Sequence, residues 1–152
     1  MNTQTTRAPK GDSSKVTMKD VMTLQPLTIG RDQTLEVAHR MMREHGVRHL
    51  PVLERGQLVG ILSQRDLYFL ETIAGVDLAK DRVDDGMSSD AYAVGPDESV
   101  EHVANVMAER KLGSAVVIER DRVIGIFTGT DALRLLAGKR RTRRRPGQPT
   151  IG

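Results

Sequence analysis

Gly60-Ile61-Leu62-Ser63-Gln64-Arg65-Asp66 reads as a glycine, two apolar residues, a hydroxyl and, three residues after the hydroxyl, an aspartate. The same pattern returns 65 residues later as Gly125-Ile126-Phe127-Thr128-Gly129-Thr130-Asp131. Working outward from these two stretches, the 65-residue shift needs no gap. It superimposes Met22 on Met87, Gly30 on Gly95, Asp32 on Asp97, Glu36 on Glu101, Met42 on Met107, Glu44 on Glu109 and Val52 on Val117. Pairs that differ mostly keep their type, as in Thr34/Ser99, Leu35/Val100, Val59/Ile124 and Ser63/Thr128. Such a register marks an internal duplication, and two copies of one unit usually pack about a pseudo-twofold axis.

Each unit reads β-α-β-β-α, so the expected class is α/β. A short extended piece, Pro26–Ile29 or Ala91–Val94, precedes a punctuating glycine, Gly30 or Gly95. Asp32-Gln33-Thr34-Leu35 and Asp97-Glu98-Ser99-Val100 carry polar caps ahead of an apolar stripe at helical spacing (Leu35, Ala38, Met42; Val100, Val103, Met107). Gly46 is expected to end the first of these helices. Two β-rich runs follow in each copy, Leu50–Leu53 with Leu58–Leu62 and Ala115–Ile118 with Val123–Phe127, split by short polar segments suited to hairpins. A last helix is expected from about Gln64 to Ile73, and from about Gly129 to Ala137. The polar stretch from Lys80 to Asp85 suits a surface crossing between the copies. The expected divisions are 1–15 without order, repeat one at 16–78, repeat two at 79–138, and a flexible basic tail at 139–152.

Composition narrows the chemistry. Apolar residues are 38% and charged residues 28% of 152, and aromatics only 3%, so the core must be built from Leu, Val, Ile, Ala and Met. The absence of cysteine excludes disulfides, thiolate nucleophiles, iron–sulfur clusters and Cys-ligated zinc. No apolar run approaches a membrane span, and the first residues lack the apolar centre of a signal peptide, so a cytoplasmic protein is expected. The net charge of +3 is unevenly placed. Lys139, Arg140, Arg141, Arg143, Arg144 and Arg145 supply six cations, and taking these from the 23 basic residues leaves 17 against 20 acidic ones. The basic character therefore belongs to the tail. That run suits a solvated terminus, an acidic partner or anionic surface, or sequence-blind contact with nucleic acid.

The Ser/Thr-x-x-Asp pattern has two readings. As a capping box, the hydroxyl satisfies free N–H groups at a helix start and the aspartate favours the positive end of the helix; this is the commoner use. As a binding element, the carboxylate at a strand's end accepts hydrogen bonds from a ribose diol while nearby hydroxyls and N–H groups hold phosphate. The two roles are compatible. His39, His45, His49 and His102 show no metal spacing, and Met41, Met42 and Met107 read as core. There is no P-loop, no G-x-G-x-x-G after a strand and no base beside an activated nucleophile, so an enzyme is not expected.

Taken together, the duplication, Asp20-Val21-Met22-Thr23, the run Val47-Arg48-His49-Leu50-Pro51-Val52 and the Gly60–Asp66 pattern resemble the CBS domain, which occurs in tandem pairs called Bateman modules. The resemblance covers about residues 16 to 137. It is similar to the regulatory insert of inosine monophosphate dehydrogenase, although 152 residues leave no room for that enzyme's barrel. The resemblance implies a stand-alone, non-catalytic sensor of adenine nucleotides (AMP, ADP or ATP, with S-adenosylmethionine or NAD(H) as further candidates), a homodimer, an unidentified regulated protein and no structural metal. It also implies two clefts between the repeats. Cleft one would comprise Arg48, His49, Ser63, Arg65 and Asp66, with a wall from Asp90, Ala91, Tyr92, Gly95 and Leu112. Cleft two would comprise Gly113, Ser114, Thr128, Thr130 and Asp131, with a wall from Gln25, Pro26, Leu27, Gly30 and Val47. Cleft one carries the cations, and charge-assisted bonds to phosphate are the stronger ones, so it is expected to hold the phosphorylated ligand more tightly. An alternative of another class is a scaffold acting through the basic tail, its clefts empty.

Overall fold

The computed structural model describes residues 15–139. Its elements run α1 (Met18–Val21), β1 (Thr23–Leu24), β2 (Ile29–Gly30), α2 (Leu35–His45), β3 (His49–Glu54), β4 (Gln57–Ser63) and α3 (Gln64–Glu71). The second copy follows as α4 (Val83–Gly86), β5 (Ala93–Val94), α5 (Val100–Arg110), β6 (Ser114–Glu119), β7 (Arg122–Thr128) and α6 (Gly129–Leu136). The expected α/β duplication is present, with shorter leading strands than the sequence suggested. Each copy holds a parallel pair and a hairpin: β2 beside β3 and β3 against β4, then β5 beside β6 and β6 against β7.

Local chemistry sets these elements. Thr34 Oγ1 accepts from Val37 N at 3.2 Å, and Ser99 Oγ accepts from His102 N at 3.1 Å, so both caps fall where the polar residues precede the apolar stripe. Gly46 ends α2 in a left-handed conformation. Both hairpins turn through two residues of positive φ, Arg55 and Gly56 in the first, Arg120 and Asp121 in the second, the geometry that matches strand twist. Both carry the same irregularity, between Val52 and Leu53 and between Val117 and Ile118.

The two copies exchange their first helices. Met18, Val21 and Met22 are buried with Val94, Val103, Ala115 and Phe127 of the second copy. Val83, wholly buried, packs with Leu35, Leu50, Leu62 and Leu67 of the first. The segment from Lys80 to Asp85 is therefore only partly a surface crossing: it leads into α4, whose first residue is core. A one-turn helix does not persist alone, because nucleation is unfavourable. Docking supplies the missing partners: Met18 N and Lys19 N donate to the carbonyls of Glu98 and Pro96, both at 2.9 Å. Val83 N and Asp84 N donate to those of Gln33 and Arg31, at 2.7 and 3.0 Å. Asp20 and Asp85, again 65 apart, accept from the backbone N–H groups of Thr17 and Arg82 at 2.9 and 3.0 Å.

The seam between copies follows from the alternation of the strands. β1 pairs antiparallel with β7 (Thr23 opposite Ile126), and the twin contact is a single bridge between Ile61 and Ser88. Val116 and Ile126 face each other across β6 and β7 and are buried, yet belong to neither helix-covered core. Their twins Pro51 and Ile61 are likewise paired across β3 and β4. These four lie on the sheet faces turned away from the helices, where β4 and β7 approach.

Candidate functional site

Each hairpin's second strand ends in a helix N-terminus built as a capping box. Asp66 Oδ2 accepts from Ser63 N at 2.9 Å while Ser63 Oγ accepts from Asp66 N at 3.1 Å. In the twin, Asp131 Oδ2 accepts from Thr128 N at 3.0 Å and from Thr128 Oγ1 at 3.1 Å, and Thr128 Oγ1 accepts from Asp131 N at 3.3 Å. The capping reading is thus realised at both positions. It does not consume both carboxylates equally. Asp66 is half-buried and its Oδ1 takes no part in the cap. Asp131 is only 5% exposed, and its Oδ1 lies 3.8 Å from Arg134 Nη1.

Around Asp66 the structure gathers Arg48, His49, Ser63 and Arg65. The Arg48 carbonyl accepts from Gln64 N at 2.8 Å, fixing the start of β3 against the start of α3. His49 is paired with Ser63 in the sheet. Its imidazole reaches the other repeat: a Cβ placed on Gly113 would lie 2.6 Å from His49 Nε2. Burial, more than anything else, holds the His49 pKa below its ordinary value; Arg48 adds to this, Asp66 opposes it, and Arg65 lowers it further. Arg48 and Arg65 are both exposed.

The residues expected to wall this region divide between different surroundings. Tyr92 and Leu112 pack on the second core. Arg110 lies over the Tyr92 ring, 5.6 Å from its centroid, and its Nη2 is 3.6 Å from Asp90 Oδ2. The exposed Asp90 is therefore turned to a cation. Burial raises the Tyr92 pKa and Glu98 adds to that, with Arg110 opposing. Gly95 N donates to Glu98 Oε2 at 3.4 Å at the entry to α5. Ala91 points elsewhere. With Gln57, Leu58, Val59, Ser89, Ala93, Ile118 and Asp121 it lines a cavity of about 300 Å³ beside the hairpin turns, and it alone of the expected residues does so.

The second set sits in a more closed setting. Leu27 and the neighbouring Pro26 are buried, Val47 packs on the first core, and Gly30 closes β2. Gln25 is exposed, with positive φ, and its N–H donates to the Ile124 carbonyl at 3.3 Å. Gly113's carbonyl accepts from Gly129 N at 3.1 Å, the twin of the Arg48–Gln64 bond. Ser114 is buried and Thr130 exposed. Where repeat one presents Arg48 and His49, repeat two presents Gly113 and Ser114.

Three residues of these surroundings were not singled out from sequence: Arg110, Arg122 and Asp121. The shift of 65 places Gly56 opposite Asp121 and Gln57 opposite Arg122, a break in an otherwise matching hairpin. The structure gives it a meaning. Arg122 Nη1 lies 2.7 Å from where a Gly56 Cβ would be, so its guanidinium fills on one side the space that stays open on the other.

The chain matches the family model described as the CBS domain twice, over residues 18–70 and 79–138. The chain belongs to the CBS-domain family. It is 35% identical over 136 residues to inosine-5'-monophosphate dehydrogenase of Korarchaeum cryptofilum, covering 89% of this chain but only 26% of that enzyme. It is 31% identical to the CBS domain-containing protein YhcV of Bacillus subtilis, covering 72% of this chain and 77% of that protein. Among solved structures it is similar to the CBS domain pair of protein MJ0100, crystallised in complex with 5'-methylthioadenosine and S-adenosyl-L-methionine. The TM-score there is 0.75 at 27% identity, with 82% of this chain and 98% of that one covered. Among the described residues of this CBS pair, no group of three or more His, Asp or Glu could hold a metal ion. No helix among them is long and apolar enough to cross a membrane.

Proposed function

We propose that this CBS pair is a non-catalytic regulatory module that binds an adenine nucleotide, AMP, ADP or ATP, between its repeats, with S-adenosylmethionine and NAD(H) as the other adenosyl ligands of interest. The observation that carries the reading is the environment of Asp66. One carboxylate oxygen holds the cap and the other is left to accept from a ribose, while Arg48 and Arg65 stand beside it for phosphate. The similarity to a CBS pair crystallised with two adenosyl compounds supports the same ligand class here. Cleft two, with Asp131 buried against Arg134, is the weaker site. A thermal-shift series with the five ligands tests the proposal. A ligand at 100 times its Kd adds about 2.7 kcal/mol to a single-site protein. No shift with any of them refutes it, and loss of a partner on deleting residues 139–145 would then favour the scaffold reading.

We further propose that a second copy of the chain is one partner. Tyr68 and Phe69 on α3 and Leu133 and Leu136 on α6 are exposed, Leu136 at 84%. Tyr68 and Leu133 are twins under the 65-residue shift, so the apolar surface follows the internal twofold and suits a self-complementary contact. A regulated protein of another kind would read the ligand state of this dimer.

A further inference from the structure

We propose that cleft one is a proton-coupled phosphate site, in which His49 takes up a proton from solvent as a phosphate-bearing ligand binds. The proposal rests on the reading of the clefts given above. Its geometry is that of a single imidazole laid across the seam. His49 starts β3 in repeat one, yet its ring occupies the space that a side chain at Gly113 of repeat two would need, with Nε2 at 2.6 Å and Cε1 at 3.4 Å from that Cβ position.

The charges acting on the ring are Arg48 beside it in the chain and Arg65 and Asp66 from the first turn of α3. Repeat two meets it with Gly113, whose neighbours Leu112 and Ser114 carry no charge. Without a ligand, two guanidinium groups and partial burial favour the neutral ring against one carboxylate. A phosphate dianion brought against Arg48 and Arg65 reverses the sign of that field. The ring then gains by carrying a second N–H, which can donate to the anion. The twin positions offer no counterpart: Ser114 stands where His49 would be, Gly113 where Arg48 would be and Thr130 where Arg65 would be, so repeat two supplies neither a matching imidazole nor these two cations.

Calorimetry of AMP binding at pH 7 in two buffers of different ionisation enthalpy counts the protons exchanged, and NMR follows the His49 ring directly. The wild-type chain is expected to take up more protons per AMP than His49→Gln, up to about half a proton for a midpoint that moves by one unit. The His49 midpoint is expected to rise by about one unit on adding AMP, equivalent to a tenfold link between protonation and affinity. Adenosine, which has no phosphate, is expected to leave both unchanged. Equal proton counts in the two proteins, or an unmoved His49 midpoint while AMP binds, overturn this proposal and leave the nucleotide reading standing. If AMP does not bind, the same counts are made with ADP or ATP; failure of all five ligands to bind overturns the nucleotide reading, and this proposal with it.

Discussion

Adding one methyl group at Gly60 and at its twin Gly125 separates backbone from side-chain crowding at the two places where the repeats exchange elements. A Cβ at Gly60 would lie 2.5 Å from Met87 Sδ and 2.7 Å from the Ser88 carbonyl oxygen. That oxygen accepts from Ile61 N at 2.9 Å, and Ser88 N donates back to the Ile61 carbonyl at 2.9 Å, so the methyl must push apart the bridge that ties α4's exit to β4. At Gly125 the three nearest atoms to the Cβ all belong to the Met22 side chain, Sδ at 2.4 Å, Cγ at 2.8 Å and Cβ at 3.1 Å, with no backbone atom as near as these. Overpacking costs about 1–3 kcal/mol, and the rigid case belongs at the upper end. The two threatened hydrogen bonds add about 1 kcal/mol each. Replacing glycine in a strand returns roughly 0.5–1 kcal/mol. Gly60→Ala should therefore lose about 4 kcal/mol and Gly125→Ala about 1 kcal/mol, against a typical domain stability of about 5–15 kcal/mol. Urea unfolding followed by far-UV circular dichroism measures both, and hydrogen exchange at Ile61 and Ser88 shows whether the bridge opens. If Gly125→Ala proves as costly as Gly60→Ala, or the Ile61 and Ser88 amides stay protected in Gly60→Ala, the backbone argument is wrong.

Met18→Ala should destabilise by about 2–4 kcal/mol and loosen amides of β6 and β7 before those of β3 and β4, because Met18 belongs to the second core; native-state exchange reads the order. Asp66→Ala and Asp131→Ala should each lose about 1 kcal/mol of capping, whereas nucleotide binding by calorimetry should fall far more in Asp66→Ala; an equal loss of binding from both would remove the asymmetry. Asp84 is hydrogen-bonded by Arg82 and Arg31, which hold its pKa below the ordinary carboxylate value of 3.8. Its contribution is thus complete above that ordinary value and is lost as pH falls through the depressed one, so Asp84→Asn should differ from wild type in urea at pH 7 and converge with it in strong acid. Leu136→Ser with Tyr68→Ser should shift sedimentation from dimer toward monomer without changing circular dichroism, and an unchanged mass would disprove the self-pairing surface.

Much of this molecule was legible in one dimension because it rests on local rules. A glycine, two apolar residues, a hydroxyl and an aspartate give a strand that turns into a capped helix wherever they occur, and Ser63–Asp66 and Thr128–Asp131 form that box as the spacing predicts. The hairpins, the caps at Thr34 and Ser99 and the end of α2 at Gly46 are short-range in the same sense. Met18–Val21 and Val83–Gly86 gave no comparable signal, since four residues hold too little periodicity to read, although the matched Asp20 and Asp85 were a clue. The basic run beyond Lys139 lies outside the described residues.

The chain alone determined that one unit is written twice, and where the two hairpins and the caps of α2, α3, α5 and α6 fall, because those depend on neighbours a few residues away. Only the tertiary structure decided that each unit's opening helix completes the other's core. It also decided that Arg122 fills the space over Gly56 and that His49 lies on Gly113. Those contacts join residues far outside any local window, 64 positions apart for His49 and Gly113 and 66 for Gly56 and Arg122, and depend on how two folded sheets close on each other.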